Sequence, residues 1–420
     1  MFYTFWILLV VRLGCQLPIP GIDVAQVQKY LQSVVGSSDS FIDSFTGGSF
    51  LSMSVFALSV TPYITASIIM QLLTIAIPAL EEMQRDGEDG RKKMNQITRY
   101  VSVGLAIIES AGLSIGFSRQ GALQDKSVFT ILTIIVTLTA GSCIIMWLGE
   151  RISDKGIGNG ISIILLINIV SRMPNDFSNL YIMFVKGKDI VQAVVAVCII
   201  VAVVIGTTIF VIVLQDAERR IPVQYSKKVQ GRKMAGGQSS YIPLKVNTAG
   251  VIPIIFASSL LSVPSIVINL FNMNVGTTAQ KIMQGMNQNY WFNAEYPWAS
   301  VGLIVYILLN IIFAYFYTSI TFNPIEVANN MKKSGGFIPG IRPGKTTSDY
   351  LNKILNYIVL IGVIGLLIVA LIPIFFNGAF KADVSFGGTS LIIIVGVILE
   401  TMKQLESQML VRNYSGFLNN

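Results

Sequence analysis

The stretch GIRPGKT, residues 340–346, has the outline of a phosphate-gripping loop. Such a loop places four residues between its glycines, so that successive backbone N–H groups wrap the anion. Here only three separate Gly340 from Gly344, Pro343 removes a donor, and no strand pattern precedes it. GIGNG, at 156–160, is too short for a dinucleotide fingerprint and lies between two apolar runs. Histidine is absent, which removes His-based triads, His metal sites and His proton relays together. Cys15, Cys143 and Cys198 stand far apart with no CxxC spacing, so neither a zinc site nor a disulfide framework is indicated. No catalytic centre, metal site or cofactor site is legible, and the chain does not read as an enzyme. Energy for any work must come from outside it.

Two polar features interrupt the apolar runs. Glu109 sits inside VSVGLAIIESAGLSIGF, where a carboxylate costs about 3 kcal/mol on insertion scales and calls for a partner or a wet cavity. A protonated Glu bonded to a neighbouring helix would serve as well as a gating role. The second is TPYITASIIMQ, residues 61–71. On a helix, Val60, Ile64, Ser67 and Gln71 share one face that grades from apolar to polar. That suits a hydrophobic constriction opening on a wet vestibule, and it equally suits ordinary packing of membrane helices through small and polar residues.

The elements that must position these groups are membrane spans. Of 420 residues, 53% are hydrophobic and 12% charged, about half the charge of an ordinary soluble domain. The apolar residues gather in blocks long enough to cross a bilayer. Ten spans are expected, near 2–17, 50–79, 98–117, 128–149, 159–173, 190–214, 248–271, 297–320, 354–376 and 386–402. Lys and Arg concentrate after spans two, four, six and eight and in the tail, which makes those loops and both termini cytoplasmic.

Ten spans divide into two fives, and an odd number per half inverts the second. The expected halves are 1–173 and 174–420. Pro62 and Pro253 fall early in the second span of each half, and interrupted helices at matching positions of inverted halves point to a conducting pathway. Two basic loops, 214–247 and 322–351, are long and rich in Gly and Pro. Loops of that length are usually functional or disordered, and these read as a docking surface.

Six motifs then resemble the SecY family, the channel subunit of the bacterial protein-translocation complex, in order and spacing. They are LPIPGID (17–23), FALSVTPYITASIIMQLL (56–73), WLGERISDKGIGNGISI (147–163), IPLKVNTAGVIPIIFASS (242–259), FNPIEVANNMKKSGGFIPGIRPG (322–344) and FGGTSLIII (386–394). The resemblance implies an all-α clamshell of two inverted five-helix halves around an hourglass pore. It implies a pore ring of Val60, Ile64, Ile161, Leu165, Ile255 and Ile393. It implies a plug, a short helix over Ser40, Phe41, Ile42, Asp43, Ser44, Phe45, Thr46, Gly47, Gly48, Ser49, Phe50, Leu51 and Ser52, in which the two glycines would supply a hinge.

A lateral gate is implied between spans two and three on one side and seven and eight on the other, with Gln71, Glu109 and Asn247 as its polar cluster. Arg342, Arg232 and Lys233 would meet a motor or a ribosome. Implied partners are the SecE and SecG subunits, the SecA motor, the ribosome, signal-bearing polypeptides and membrane lipid, with no nucleotide bound directly. The expected location is the bacterial plasma membrane. Relatives usually carry a basic segment before span one, and this sequence opens at MFYTFWILL, which bears on how SecE clamps the halves. A secondary transporter is the rival reading, and it would require substrate or ion ligands at mid-membrane, where one carboxylate is legible.

Overall fold

The computed structural model describes residues 2–28, 46–119, 121–123, 125, 127–225, 228–230, 233–235, 239–258, 260–261, 285–286, 291, 297–380 and 388–417. The chain is a helical, multi-pass membrane protein. Among the described residues, Gly87–Arg119, Val128–Lys155, Ile190–Asp216, Val301–Lys333 and Lys345–Phe375 are long and apolar enough to cross a bilayer. Thr61–Ala76 with Pro78–Gln84 makes a sixth if that bent pair is one span.

Polarity is distributed for lipid rather than water. Ile190, Val191, Val194, Val195 and Ile199 are exposed along span six, as are Val128, Phe129, Leu132 and Val136 along span four. Small and polar residues are buried between helices instead. Thr98, Ser102, Ala106, Ser110 and Ser114 recur every fourth residue on the buried face of span three, and Ser110 Oγ meets Thr139 Oγ1 of span four at 3.1 Å. Small side chains let membrane helices approach closely, and their hydroxyls then have neighbours to bond.

Span two departs from its sequence outline. The apolar run 50–79 predicts one span kinked at Pro62, but helix begins only at Thr61 and stops at Ala76. Pro62 lies in its first turn, where a missing N–H breaks no helical bond. The bend comes at Pro78, which opens a second helix, Pro78–Arg85, at 108° to the first. Residues 55–60 are turns, with Met53 at φ 45° and Ser59 at φ 48°. They are apolar because they are buried: Met53, Phe56, Ala57 and Leu58 are all core residues. The LPIPGID segment fastens this stretch, since Ile19 N–H donates to the Met53 carbonyl (3.0 Å) and Val55 N–H to that of Leu17 (2.9 Å).

Span five starts where the sequence places it. The side chain of Asn159 caps the helix by accepting from the N–H groups of Ile161 and Ser162. It runs past residue 173, through Pro174, to Phe184.

The two basic loops fold together. Strands β1 (Glu218–Tyr225) and β4 (Ser239–Lys245) pair antiparallel with Ile221 opposite Ile242, and β5 (Gly336–Phe337) adds to the other edge of β1. A separate hairpin joins β2 (Lys228–Gln230) to β3 (Lys233–Ala235). Ile221, Val223 and Leu244 of the sheet bury against Met331, Ile338, Leu351 and Ile354. Both loops therefore stand on one side of the bundle as a single platform.

Candidate functional site

The six residues that the family resemblance assigns to a pore ring fall in one apolar cluster. Val60, Leu165 and Ile393 are among its buried members, and Ile64, Ile161 and Ile255 pack against them. Ile161 and Leu165 are one turn apart on span five, Val60 and Ile64 straddle the start of the span-two helix, and the other two come from residues 252–258 and span ten. Four separate parts of the chain thus place branched apolar side chains at one locus. A constriction of that chemistry excludes water and ions when closed and is soft enough to part around a chain.

Beside it lies a polar knot that sequence reading passed over. Asn168, one turn beyond Leu165, is fully buried. Its Nδ2 donates to Ser59 Oγ at 3.1 Å, and its Oδ1 accepts from Arg12 Nη1 at 3.5 Å. Arg12 Nη1 also lies 3.5 Å from the Gly47 carbonyl oxygen. Ser142 Oγ of span four donates to the Ser59 carbonyl at 3.3 Å. A charge inside span one was the available signal, because an arginine at membrane depth requires partners.

Of the expected plug, Ser40–Phe45 lie outside the described residues. Gly47 to Ser52 are turns rather than helix. Gly47 and Gly48 have φ of 66° and 85°, a backbone that side-chain-bearing residues resist. A Cβ on Gly47 would stand 2.8 Å from Arg12 Nη1 and 3.0 Å from Asn168 Cα. Phe50 is buried with Met53, Phe117 and Leu138, and Ser49 Oγ donates to the Phe56 carbonyl at 3.1 Å.

The three gate candidates are not joined by a hydrogen bond among the described residues. Gln71 and Glu109 are half-buried, whereas Asn247 is buried with neither amide atom partnered. Arg342 is exposed, and its carbonyl accepts from Thr347 Oγ1 at 2.8 Å, which ties the loop to the start of span nine. Arg232 lies outside the described residues, and Lys233 is described as a backbone position opposite Gln230. On the platform, Arg220 Nε donates to Glu218 Oε1 at 2.7 Å and its guanidinium sits 4.8 Å from the Tyr241 ring centroid. The hydrogen bond to Glu218 raises the Arg220 pKa further above its ordinary value.

Apolar helices around a shared cluster of branched side chains, with a folded platform formed by the two basic loops, define the architecture of this membrane protein. The solved structures with this fold include one described as a protein conducting channel, with TM-score 0.63 at 18% identity over 97% of this chain and 92% of that one. Another, Sec61 in a canine ribosome-channel complex from the endoplasmic reticulum, gives TM-score 0.61 at 17% identity over the same shares. The family model SecY matches residues 54–402. The protein translocase subunit SecY of Streptomyces coelicolor is 44% identical, over 100% of this chain and 96% of that protein. Its counterpart in Mycobacterium tuberculosis H37Rv is 41% identical over 99% and 96%. The chain belongs to the SecY family.

Proposed function

We infer that this chain is the protein-conducting channel of a Sec translocase, passing unfolded secretory polypeptides across the membrane and releasing apolar segments sideways into lipid. One observation carries the reading: six branched apolar side chains from four parts of the chain meet in one cluster. Charged and backbone groups in hydrocarbon each cost several kcal/mol (about that per group), and a wet path through the protein removes that cost. The channel makes and breaks no covalent bond.

In this reading the halves, about 1–173 and 174–420, part as a clamshell. The cluster seals around the moving chain, and the segment ending at Ser52 seals the idle pore. Gln71, Glu109 and Asn247 belong to the lateral gate. The orphaned amide of Asn247 supports this, because a buried polar group without a partner favours any state that supplies one. Arg342, Arg232 and Lys233 take the SecA motor or the ribosome on the platform, with SecE and SecG as membrane partners. The protein resides in the bacterial plasma membrane with both termini cytoplasmic.

The test places a single cysteine at Ile64, with Cys15, Cys143 and Cys198 replaced, and arrests a cysteine-bearing secretory protein midway through export. A disulfide between the two that depends on SecA and on Arg342 is the expected result. Export without any crosslink at Ile64 would remove that residue from the path. Coupled uptake of a small solute by the purified protein would favour the transporter instead.

A further inference from the structure

Asn168 holds two things at once. Its carbonyl oxygen accepts from Arg12, which also reaches the Gly47 carbonyl, while its amide nitrogen donates to the hydroxyl of Ser59. Gly47 belongs to the turn segment that ends at the apolar cluster. Ser59 is the residue immediately before Val60 and the helix of span two. One fully buried side chain therefore ties the turn segment and the start of span two to span five.

Ser59 is where that tie matters. Its φ of 48° is a left-handed conformation that a non-glycine residue keeps only when its surroundings over-determine it. The surroundings here are three hydrogen bonds: Asn168 donates to its hydroxyl, Ser142 donates to its carbonyl, and its own N–H donates to the Phe56 carbonyl. Arg12, for its part, is a guanidinium inside an apolar helix, and the acceptors it reaches are the Gly47 carbonyl and Asn168. Loss of either contact leaves it short of an acceptor at membrane depth.

We propose that Asn168, with Arg12 and Ser59, is a positioning latch that couples the seat of the Gly47 turn to the lead-in of span two, and so sets how strongly a signal segment must bind before the channel opens. This rests on the channel reading above. A ligand shifts a closed–open equilibrium only by its differential affinity for the two states. Weakening the latch raises the open population, and weaker signals then suffice. Because both ties run through one side chain, they break together.

The experiment uses the full chain with its partner subunits in cells depleted of their own channel. It compares export of a reporter bearing an intact signal with one bearing a crippled signal. Asn168→Leu keeps the branching at Cγ and removes both ties. It is expected to raise the crippled-to-intact export ratio about tenfold, the scale of losing one or two hydrogen bonds that include a charged donor, and to raise idle ion conductance in planar bilayers. Ser59→Gly removes one acceptor while favouring the left-handed backbone, and Arg12→Met removes the other tie; each is expected to raise the ratio by less.

Added to Asn168→Leu, Ser59→Gly is expected to change nothing further. A residue that merely stabilised the fold would lower both exports together and leave the ratio flat, and that outcome overturns the latch. So does a Ser59→Gly effect that multiplies in full on Asn168→Leu. Should Asn168→Leu fail to accumulate, Arg12→Met and Ser59→Gly with their double variant decide. Less than multiplicative effects support a shared tie, and fully multiplicative effects refute it. If the unaltered chain exports neither reporter, the channel reading falls and takes the latch with it. If it exports normally and the variants do nothing, the latch alone falls.

Discussion

Two sets of buried polar side chains behave oppositely. Around Ser59, the hydroxyls and amides of Ser49, Ser59, Ser142 and Asn168 all have partners. Along the start of span seven and the buried face of span eight, Asn247 has no partner for either amide atom, and Asn310 Oδ1 and Thr318 Oγ1 have none. An unmade buried hydrogen bond costs about 1–3 kcal/mol, so the second region carries unspent affinity for polar partners. The first resists change and the second invites it. In the channel reading proposed above, the first region would define the resting state and the second would receive what enters.

The comparison can be broken most severely on the tight side. Gly141 of span four faces the backbone of the segment leading to Ser59, and a Cβ there would stand 2.0 Å from the Val55 carbonyl oxygen. Gly141→Val is expected to lose about 3 kcal/mol through overpacking, seen as a drop in the aggregation temperature of the detergent-solubilised protein. An unchanged temperature would show that this side is slack.

On the other side, replacement of the orphan should help the resting fold. Asn247→Leu is expected to stabilise the closed protein by about 1–2 kcal/mol, because it removes an unpartnered buried amide. Its aggregation temperature should rise while export of an intact-signal reporter falls several-fold. A loss of stability would mean that Asn247 has a partner at rest.

The smallest effect belongs to neither region and calibrates both. Arg99 Nε lies 2.6 Å from Glu150 Oε1 between spans three and four, with side chains 47% and 22% exposed. Partial exposure and solvent screening hold such a pair below about 1 kcal/mol. Arg99→Gln should therefore shift the aggregation temperature slightly at low salt and not at all at high salt.

Much of this fold is written in its hydropathy. Spans three, four, six, eight and nine appear as apolar blocks because lipid demands them. The start of span two is misplaced by the same logic, since Met53, Phe56 and Leu58 are apolar for burial among turns, and hydropathy does not distinguish a buried turn from a span. The strands of the platform are short and sit in basic loops, where alternation such as that of Ile221 and Val223 is brief. At the site, Val60 and Ile64 were marked by a shared helix face, whereas Ile255 and Ile393 were singled out only through family motifs, because branched apolar residues are everywhere in this chain. Asn168 and Ser59 were not legible at all. A buried Asn and a left-handed Ser have no distinctive spacing, and only the fold brings Arg12 to them.

Span nine has a consequence of its own. The helix Lys345–Phe380 runs 36 residues, about 54 Å at 1.5 Å per residue, against a hydrocarbon core of about 30 Å. Its first turns stand clear of the bilayer, with Leu351 and Ile354 bedded into the core beneath the sheet, and Arg342 lies just ahead of them. A load applied at Lys345 would pass along a continuous helix toward the bilayer, and the side chains packed around its first turns would resist its tilting.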